Sequence, residues 1–291
     1  MNAARRTARR IAVTLVLVLP LAPVMPTVAV AQDADSTSSA RPLFTYRDAI
    51  LAGAFAVTAR LVHPLDERFR ARLQDSSTQA NRKLQTLATF VRTTATPGSY
   101  VIGTSMYAIG RIAKNRKLAS LGLHGTEALI VGEGVATVVK TVVGRQRPSV
   151  EPANPNSYGF MRGLTGGDRY RSFPSGHTVS AFAAAAAVTA ETSRNAPNTK
   201  WIVGPVLYTG AALVGVSRMY NNRHWASDVI VGAGIGTFAG LKVVRFNSSH
   251  QGNKLDKFLL SGSIISTDDG GHMVRWSVIP GVAIGRARPG R

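Results

Sequence analysis

The chain has 291 residues, of which 45% are hydrophobic, so it can bury a substantial core in one large domain or two small ones. Its 35 basic and 15 acidic residues give a formal net charge of +20, which favours anionic partners; the alternative is a cationic surface without a specific anion site. The absence of cysteine excludes disulfides, thiol catalysis and thiolate metal sites.

Residues 1–31 have the three parts of an export signal. An Arg-rich start precedes an apolar stretch over 11–21, and the small-x-small triplet at 29–31 is typical of a cleavage site. We expect cleavage after Ala31, and the alternative is an uncleaved amino-terminal anchor. Residues 32–45 are rich in Ser, Thr, Asp and Ala and are predicted to be a disordered leader.

From residue 46 onward, apolar positions recur at steps of three and four residues, as they do in helices that bury one face. This periodicity predicts an all-α fold, a bundle of about six to seven helices that forms a domain over 46–248. The expected helices cover about 46–62, 79–94, 98–114, 118–146, 176–192, 201–218 and 224–245.

Two further segments interrupt or follow the helical pattern. Residues 149–173 are dense in Pro, Asn, Gly and Arg, and a long irregular stretch inside a compact domain is often functional. We expect this stretch to cover a pocket. Two apolar segments around a turn at 268–271 predict a C-terminal β-hairpin extension over 249–291.

The apolar segments are short for membrane spans. A span needs about 20 predominantly apolar residues, whereas the best uncharged stretch, 202–217, has 16 and contains Gly, Pro and Ser. Mean hydropathy is also low, at +0.05. The sequence therefore favours an exported helical domain that is periplasmic or associated with the membrane surface. A bundle of short integral spans is the alternative.

The first of three short motifs is Lys140, six residues, Arg147 and Pro148. Seven residues are two helical turns, so both cations are expected on one face of a helix that Pro148 ends, about 10 Å apart along its axis. Two cations at one helix end can bind an anion. The alternative for this pair alone is a solvated basic face.

The second motif is the tetrapeptide at 174–177, which contains Ser175, Gly176 and His177. It precedes an Ala-rich run that favours a helix, so it is predicted to lie at a helix amino terminus, where free N–H groups favour a phosphate. Gly176 would let the backbone approach a ligand closely. A simple helix cap would explain this tetrapeptide equally well.

The third motif is Ser217-Arg218, five residues, His224, three residues, Asp228. On a helix, His224 and Asp228 would share a face, and the carboxylate could orient the imidazole. A neutral oriented histidine can attack phosphorus, and Arg218 can add a cation with bidentate geometry. A buried histidine satisfied by a nearby aspartate is the alternative for an isolated pair.

Taken together, the three motifs resemble the signature of the type 2 phosphatidic acid phosphatase and vanadium haloperoxidase superfamily, over residues 140–228. The resemblance implies that His224 attacks phosphorus, that Asp228 orients His224, and that His177 protonates the leaving group and then activates water. It also implies phosphate-binding roles, which would fall to Lys140, Arg147, Arg218, Ser175 and Gly176.

The function expected from this resemblance is an exported, metal-independent phosphatase acting on phosphate monoesters or lipid (di)phosphates through a phosphohistidine. No cofactor or metal is expected, because no carboxylate cluster suited to Mg²⁺ or Zn²⁺ lies near the motifs. Expected partners are a phosphorylated lipid or small molecule and an anionic membrane surface, and no nucleic acid. The alternatives are a vanadium-dependent haloperoxidase and a non-catalytic binder of envelope polyanions.

Overall fold

A computed structural model describes residues 44–249 and the backbone of two short segments, 262–266 and 272–276. The helices are α1 (Tyr46–Val62), α2 (Asp66–Leu73), α3 (Ser76–Gln79), α4 (Arg82–Thr93), α5 (Ser99–Ile112), α6 (Arg116–Val143), α7 (Arg162–Thr165), α8 (Gly176–Asn195), α9 (Lys200–Tyr220) and α10 (Ala226–Ser249). The body is thus helical, as predicted, and each expected helix coincides with one of these elements. The short helices α2, α3 and α7 were not predicted from the sequence.

Two strands, β1 (Gly262–Ser266) and β2 (His272–Trp276), pair antiparallel with Gly262 opposite Trp276. The hairpin extension as a whole stays a prediction, because the segments around these strands lie outside the described residues. The predicted export signal at 1–31 and nearly all of the predicted leader also lie outside them.

Helix α8 is the central element of the bundle and contacts α6, α9 and α10. Small residues allow a very close approach of α8 and α10, since three glycines recur every fourth residue on α10. A Cβ at Gly236 would lie 2.3 Å from the Val179 carbonyl oxygen, and one at Gly240 would lie 2.6 Å from that of Ala183. This contact fixes the amino termini of α8 and α10 side by side, and these termini carry the second and third motifs.

Helix α6 ends earlier than predicted. Asn115 caps its start by accepting a hydrogen bond from the Leu118 N–H, and its end is Val143, followed by Gly144 at φ 53°. Glycine adopts this left-handed conformation without the penalty of a Cβ and is the common residue that ends a helix. The chain therefore leaves the helix four residues before Pro148.

Three stretches of the described chain are long and apolar enough to cross a membrane, by length and composition. They are Tyr46–Leu73, Pro197–Tyr220 and Ala226–Ser249, with mean hydropathies of 1.2, 1.4 and 1.6 over their best windows. The expectation above rested on uncharged runs, whereas all three stretches contain charged residues, such as Arg60, Lys200 and Lys242. The finding favours membrane association, which the sequence predicted as attachment to the membrane surface, with integral spans as the alternative.

Candidate active site

A cavity of about 540 Å³ gathers residues from all three motifs. It lies where the end of α6 and the loop after it meet the amino terminus of α8, the end of α9 and the turn before α10. The motif residues that line it are Lys140, Arg147, Gly176, His177, Arg218 and His224. Ser175 and Asp228 are not among the lining residues. The segment 149–173 contributes Asp168 to the lining, as expected of a loop that covers a pocket.

Lys140 and Arg147 reach the cavity from different elements, which corrects the prediction that they share a helix face. Lys140 lies in the last turn of α6, and its Nζ donates to the Pro174 carbonyl oxygen. Arg147 lies beyond Gly144, in the loop. Because Gly144 ends the helix, two helical turns no longer separate the two cations.

The Arg147 guanidinium is held on three sides. Its Nε donates to the Asp168 carbonyl oxygen at 2.8 Å, and its Nη2 donates to Asp168 Oδ1 at 2.7 Å. Its Nη1 donates to the Arg223 carbonyl oxygen at 3.0 Å and lies 3.4 Å from His224 Nε2. Arg147 is therefore fixed with one nitrogen beside the imidazole.

The second motif opens helix α8, as the sequence predicted. Ser175 precedes the helix with extended backbone, and the helix begins at Gly176. A Cβ at Gly176 would lie 3.1 Å from Glu133 Oε2 and 3.4 Å from Lys140 Nζ, so the backbone approaches these groups closely. The Ser175 hydroxyl instead accepts a hydrogen bond from Thr178 at 2.8 Å, away from the lining. Its role in phosphate binding stays a prediction.

The position of His224 differs from the predicted helical pair. His224 precedes α10, and its Nδ1 lies 2.6 Å from the Ser172 carbonyl oxygen but 3.8 Å from Asp228 Oδ2. A carbonyl oxygen can only accept, so Nδ1 carries the proton and Nε2 keeps its lone pair in the neutral ring. The backbone of Ser172, rather than the carboxylate, makes the direct hydrogen bond that orients the imidazole.

Asp228 orients the His224 imidazole indirectly. It is fully buried, accepts from the Ser172 hydroxyl at 2.5 Å and from the Trp225 N–H at 2.9 Å, and pairs with Arg145. These bonds hold the Ser172 segment against the turn that carries His224. The carboxylate therefore supports the carbonyl that contacts the ring.

Sequence reasoning missed Arg145 and Asp66, which complete this buried network. Arg145 Nη2 donates to Asp66 Oδ2 at 2.8 Å, and Asp66 also accepts from the Ser227 N–H at 2.9 Å. Arg145 Nε donates to the Pro155 carbonyl oxygen at 3.0 Å. Arg145 stands within the first motif interval, which could have drawn attention to it, but no sequence signal pointed to Asp66.

Arg218 also lines the cavity, but its guanidinium is held differently from that of Arg147. Its side chain is buried, with 5% of the residue exposed, and its Nε is buried without a hydrogen-bond partner among the described residues. A buried, unpaired guanidinium is costly, so it is expected to have an anionic ligand. The residue is therefore positioned to bind an anion that enters the cavity.

Burial keeps the two cavity histidines neutral. Burial, and then the Arg218 guanidinium, lowers the pKa of His177 to about 3, and burial lowers the pKa of His224 to about 3. Burial also lowers the pKa of Lys140 to about 8, although the Glu133 carboxylate opposes this shift. At neutral pH the cavity therefore presents two neutral imidazoles among cations.

Several residues outside the motifs complete the cavity lining. Glu133 lies beside Lys140 and Gly176 and accepts a hydrogen bond from the Ser180 hydroxyl at 2.5 Å. The full set outside the motifs is Thr96, Tyr100, Glu133, Thr137, Asp168, Arg171 and Arg223. Among the described residues, no group of three or more His, Asp or Glu side chains is placed to hold a metal ion. The cavity can thus bind an anion beside a histidine whose unprotonated Nε2 lies next to Arg147 Nη1.

The chain is similar to known phosphatases over part of its length. The model of the PAP2 superfamily matches residues 122–251, which contain all three motifs, and this match confirms the resemblance. A lipid A 1-phosphatase of Porphyromonas gingivalis is 43% identical over 89 residues, which are 30% of this chain. The matched part spans about a fifth of that protein's length, at 19%.

Two solved structures are similar to the fold. One is described as the first transmembrane PAP2 type phosphatidylglycerolphosphate phosphatase from Bacillus subtilis, with a TM-score of 0.47 and 19% identity. The similarity covers 71% of this chain and 98% of that one. The other is LpxE of Aquifex aeolicus, with a TM-score of 0.41, 21% identity, and coverage of 62% of this chain and 95% of that one.

Proposed function

We propose that this chain, whose residues 122–251 match the model of the PAP2 superfamily, is a metal-independent phosphatase that cleaves phosphate esters of lipids through a phosphohistidine. The observation that carries the proposal is the pair of groups meeting in one cavity. His224 has its Nδ1 fixed by a carbonyl and its unprotonated Nε2 beside Arg147 Nη1, and the buried Arg218 guanidinium faces the same space without a carboxylate partner among the described residues.

In the first step, His224 Nε2 attacks phosphorus, and the bond between phosphorus and the leaving oxygen breaks. Lys140, Arg147 and Arg218 bind the phosphoryl oxygens, assisted by the N–H at Gly176, and offset the negative charge of the transition state. Charge on the imidazole grows as the N–P bond forms. The Ser172 carbonyl accepts from Nδ1 and favours this change, and Asp228 holds that carbonyl in place.

His177 donates a proton to the leaving oxygen and later removes one from the attacking water. Its low pKa in the free site means that it is neutral before substrate arrives. A bound phosphate dianion places negative charge beside it and raises its pKa, because a nearby opposite charge favours the protonated form. Substrate binding therefore favours the protonated form of His177, which is the acid that the first step needs.

Replacement of His224 tests this mechanism most directly. We expect His224→Ala to abolish hydrolysis of p-nitrophenyl phosphate and of phosphatidic acid. Rapid quenching of wild type with radiolabelled substrate should trap a phosphoenzyme that is stable in base and labile in acid, and His224→Ala should trap none. His63→Ala is the matched control, since His63 lies outside the cavity lining. A labelled phosphoenzyme in the His224→Ala protein would contradict the assignment.

The anion cavity could also bind vanadate, a phosphate mimic. For a phosphatase, we expect vanadate to inhibit hydrolysis competitively and EDTA to leave it intact. Oxidation of bromide by peroxide in the presence of vanadate, without phosphatase activity, would instead indicate a haloperoxidase.

We further propose that the chain is an exported protein inserted in a membrane, so that a lipid phosphate can reach the cavity laterally. Support comes from the three apolar stretches and from exposed side chains such as Val57 and Leu61 on α1 and Ile202 and Val206 on α9. We expect the protein to resist extraction by alkaline carbonate and its mature form to begin at Gln32. Full release by carbonate would contradict membrane insertion.

The similarity to a lipid A 1-phosphatase supports a lipid substrate without identifying it. A panel of phosphatidic acid, undecaprenyl diphosphate and p-nitrophenyl phosphate compares a lipid monoester, a lipid diphosphate and a soluble monoester. We expect kcat/KM to be higher for at least one of the lipids than for p-nitrophenyl phosphate. Preference for the soluble ester would contradict the lipid assignment.

A further inference from the structure

A carboxylate lines the cavity on the same helix as a phosphate-binding cation. Glu133 and Lys140 are seven residues apart within α6, so two helical turns place both side chains on one face. Both side chains line the cavity. The spacing that the sequence predicted for Lys140 and Arg147 is therefore realised between Lys140 and a carboxylate.

The two charged groups meet at the amino terminus of α8. A Cβ at Gly176 would lie 3.1 Å from Glu133 Oε2 and 3.4 Å from Lys140 Nζ, so the two groups flank one backbone position. Each is held by a different partner. Lys140 Nζ donates to the Pro174 carbonyl oxygen, whereas Glu133 Oε1 accepts from the Ser180 hydroxyl at 2.5 Å. An ammonium has three N–H donors, so Lys140 can bind a ligand while the carboxylate stays beside it.

The charge of Lys140 depends on this carboxylate. Burial lowers the pKa of Lys140 to about 8, and the Glu133 carboxylate is the strongest of the charges that oppose this shift. Asp228 opposes it less strongly, whereas Arg147 and Arg171 lower the pKa further. Without Glu133, burial and the neighbouring cations would favour the neutral amine near neutral pH.

We propose that Glu133 is a positioning residue for phosphoryl binding, which keeps Lys140 beside the amino terminus of α8 as a cation. Ser180 fixes the carboxylate, and the carboxylate stabilises the ammonium across the Gly176 backbone. Glu133 thereby sets the highest pH at which the site binds an anion well, because a neutral amine cannot offset the charge of a phosphoryl group. The inference rests on the proposed phosphatase function and concerns how the same site is kept in its binding form.

Lys140 is the cavity group expected to titrate just above neutral pH. Burial lowers the pKa values of His177 and His224 to about 3, so both rings are already neutral there. Burial, and then the Glu133 carboxylate, raises the pKa of Tyr100 on α5, so that hydroxyl keeps its proton. The other charged groups that line the cavity or act on Lys140 are Arg147, Asp168, Arg171 and Arg223 from the loop and the turn, Arg218 from α9 and Asp228 from α10.

Binding of tungstate at different pH values tests the role of Glu133. Tungstate is a tetrahedral dianion that resembles a phosphoryl group, and its charge does not change across neutral and alkaline pH. Its dissociation constant is measured by calorimetry on the full chain in detergent micelles. For wild type we expect affinity to fall as pH rises through about 8, because Lys140 loses its charge. For Glu133→Gln the fall should begin about one pH unit lower, since a nearby opposite charge raises the pKa of an amine by about that much or more.

Further variants separate the charge of Glu133 from its packing. Glu133→Gln keeps the shape of the side chain and still accepts from Ser180. Glu133→Asp should restore part of the shift, and Ser180→Ala should cause a smaller shift in the same direction, because the carboxylate is no longer fixed. Glu67→Gln is the matched control, since Glu67 is exposed on α2 and does not line the cavity. Its pH dependence should equal that of wild type.

Lys140→Met identifies the group that titrates. It should bind tungstate about tenfold or more weakly than wild type near neutral pH, because a charge-assisted hydrogen bond is lost. Its affinity should change little over the pH range in which that of wild type falls. Adding Glu133→Gln to Lys140→Met should then cause no shift in pH dependence.

A fall that begins at the same pH in wild type and in Glu133→Gln would overturn the role of Glu133. A fall that persists in Lys140→Met would also overturn it, because another group would then be titrating. The outcome is separable from the proposed function. Hydrolysis of p-nitrophenyl phosphate by wild type, with no shift in Glu133→Gln, would remove the role of Glu133 alone. The expected shift without any hydrolysis by wild type would remove the phosphatase alone.

Discussion

Arg145 and Arg218 are both buried arginines, with 0% and 5% of the residue exposed, yet their surroundings differ completely. Arg145 pairs with Asp66 and Asp228 and lies over the rings of Tyr158 and Trp225 at 5.0 and 5.6 Å. Arg218 has no carboxylate partner among the described residues and lines the cavity. A buried cation whose charge is balanced by the protein supports the structure, whereas one left unbalanced indicates where a ligand binds.

The largest effect is expected when the balanced cation is removed. Arg145→Met leaves two fully buried carboxylates without their cation, and breaking a buried ion pair on one side costs about 3–5 kcal/mol. We expect this loss in the free energy of unfolding, measured by chemical denaturation in detergent. Adding Asp66→Asn should recover part of it.

Arg169→Met is the control for the loss of an arginine side chain, since Arg169 is exposed. It should change the free energy of unfolding by less than about 0.5 kcal/mol. A stability for Arg145→Met equal to that of this control would show that the buried network does not hold the site together.

Removing Arg218, the unbalanced cation, should lower activity without lowering stability. Arg218→Gln takes away one preorganised donor to the transition state, which corresponds to a loss of roughly 10²-fold or more in kcat. The free energy of unfolding should stay the same or rise, because the variant no longer buries an unpaired charge. Kinetics with p-nitrophenyl phosphate and denaturation of the same samples measure both quantities. A destabilised Arg218→Gln protein with normal kcat would reverse the comparison.

The role of His177, beside Arg218, can be tested by comparing substrates that differ in their leaving group. His177→Asn removes the acid, so hydrolysis of an alkyl phosphate should fall by about 10²-fold or more. Hydrolysis of p-nitrophenyl phosphate should fall much less, because p-nitrophenolate is a far weaker base than an alkoxide and leaves without a proton. Equal losses with the two substrates would indicate that His177 only maintains the structure of the site.

The sequence predicted which residues meet but not how they are held. Motif spacing located the cavity residues because each motif lies next to a helix end that composition could identify, such as the start of α8 after Ser175. It misplaced Arg147, because the left-handed Gly144 ended α6 four residues before Pro148. It assigned the orientation of His224 to Asp228, because a contact between His224 and the Ser172 backbone carbonyl has no side-chain signature in the sequence.

Residues distant in the chain were the hardest to predict. Asp66 contacts Ser227 across 161 positions, and no local pattern in either segment indicates that they meet. The close contact between α8 and α10 depends on glycines at every fourth position of α10, and the sequence does not show which helix they face. Tertiary contacts, rather than local propensity, determined the details that the sequence could not predict.

The smallest predicted effect is the uptake of protons when an anion binds to the cavity. In the free site His177 has a pKa of about 3, lowered by burial and by Arg218, and a bound dianion should raise it. At pH 6 the free imidazole is neutral, so a raised pKa means that binding takes up protons and that affinity falls as pH increases. Calorimetry of methylphosphonate binding in buffers with different ionisation enthalpies measures this uptake.

The same titration with His177→Asn corrects for protons that the phosphonate itself gains or loses. We expect wild type to take up more protons than this variant, by a fraction of one proton. Arg218→Gln should show a larger excess, because without the guanidinium the bound imidazole has a higher pKa, whereas burial still keeps the free imidazole neutral at pH 6. Equal uptake by wild type and His177→Asn would place the acid on another residue, while an unchanged excess in Arg218→Gln would mean that the unbalanced guanidinium does not act on His177.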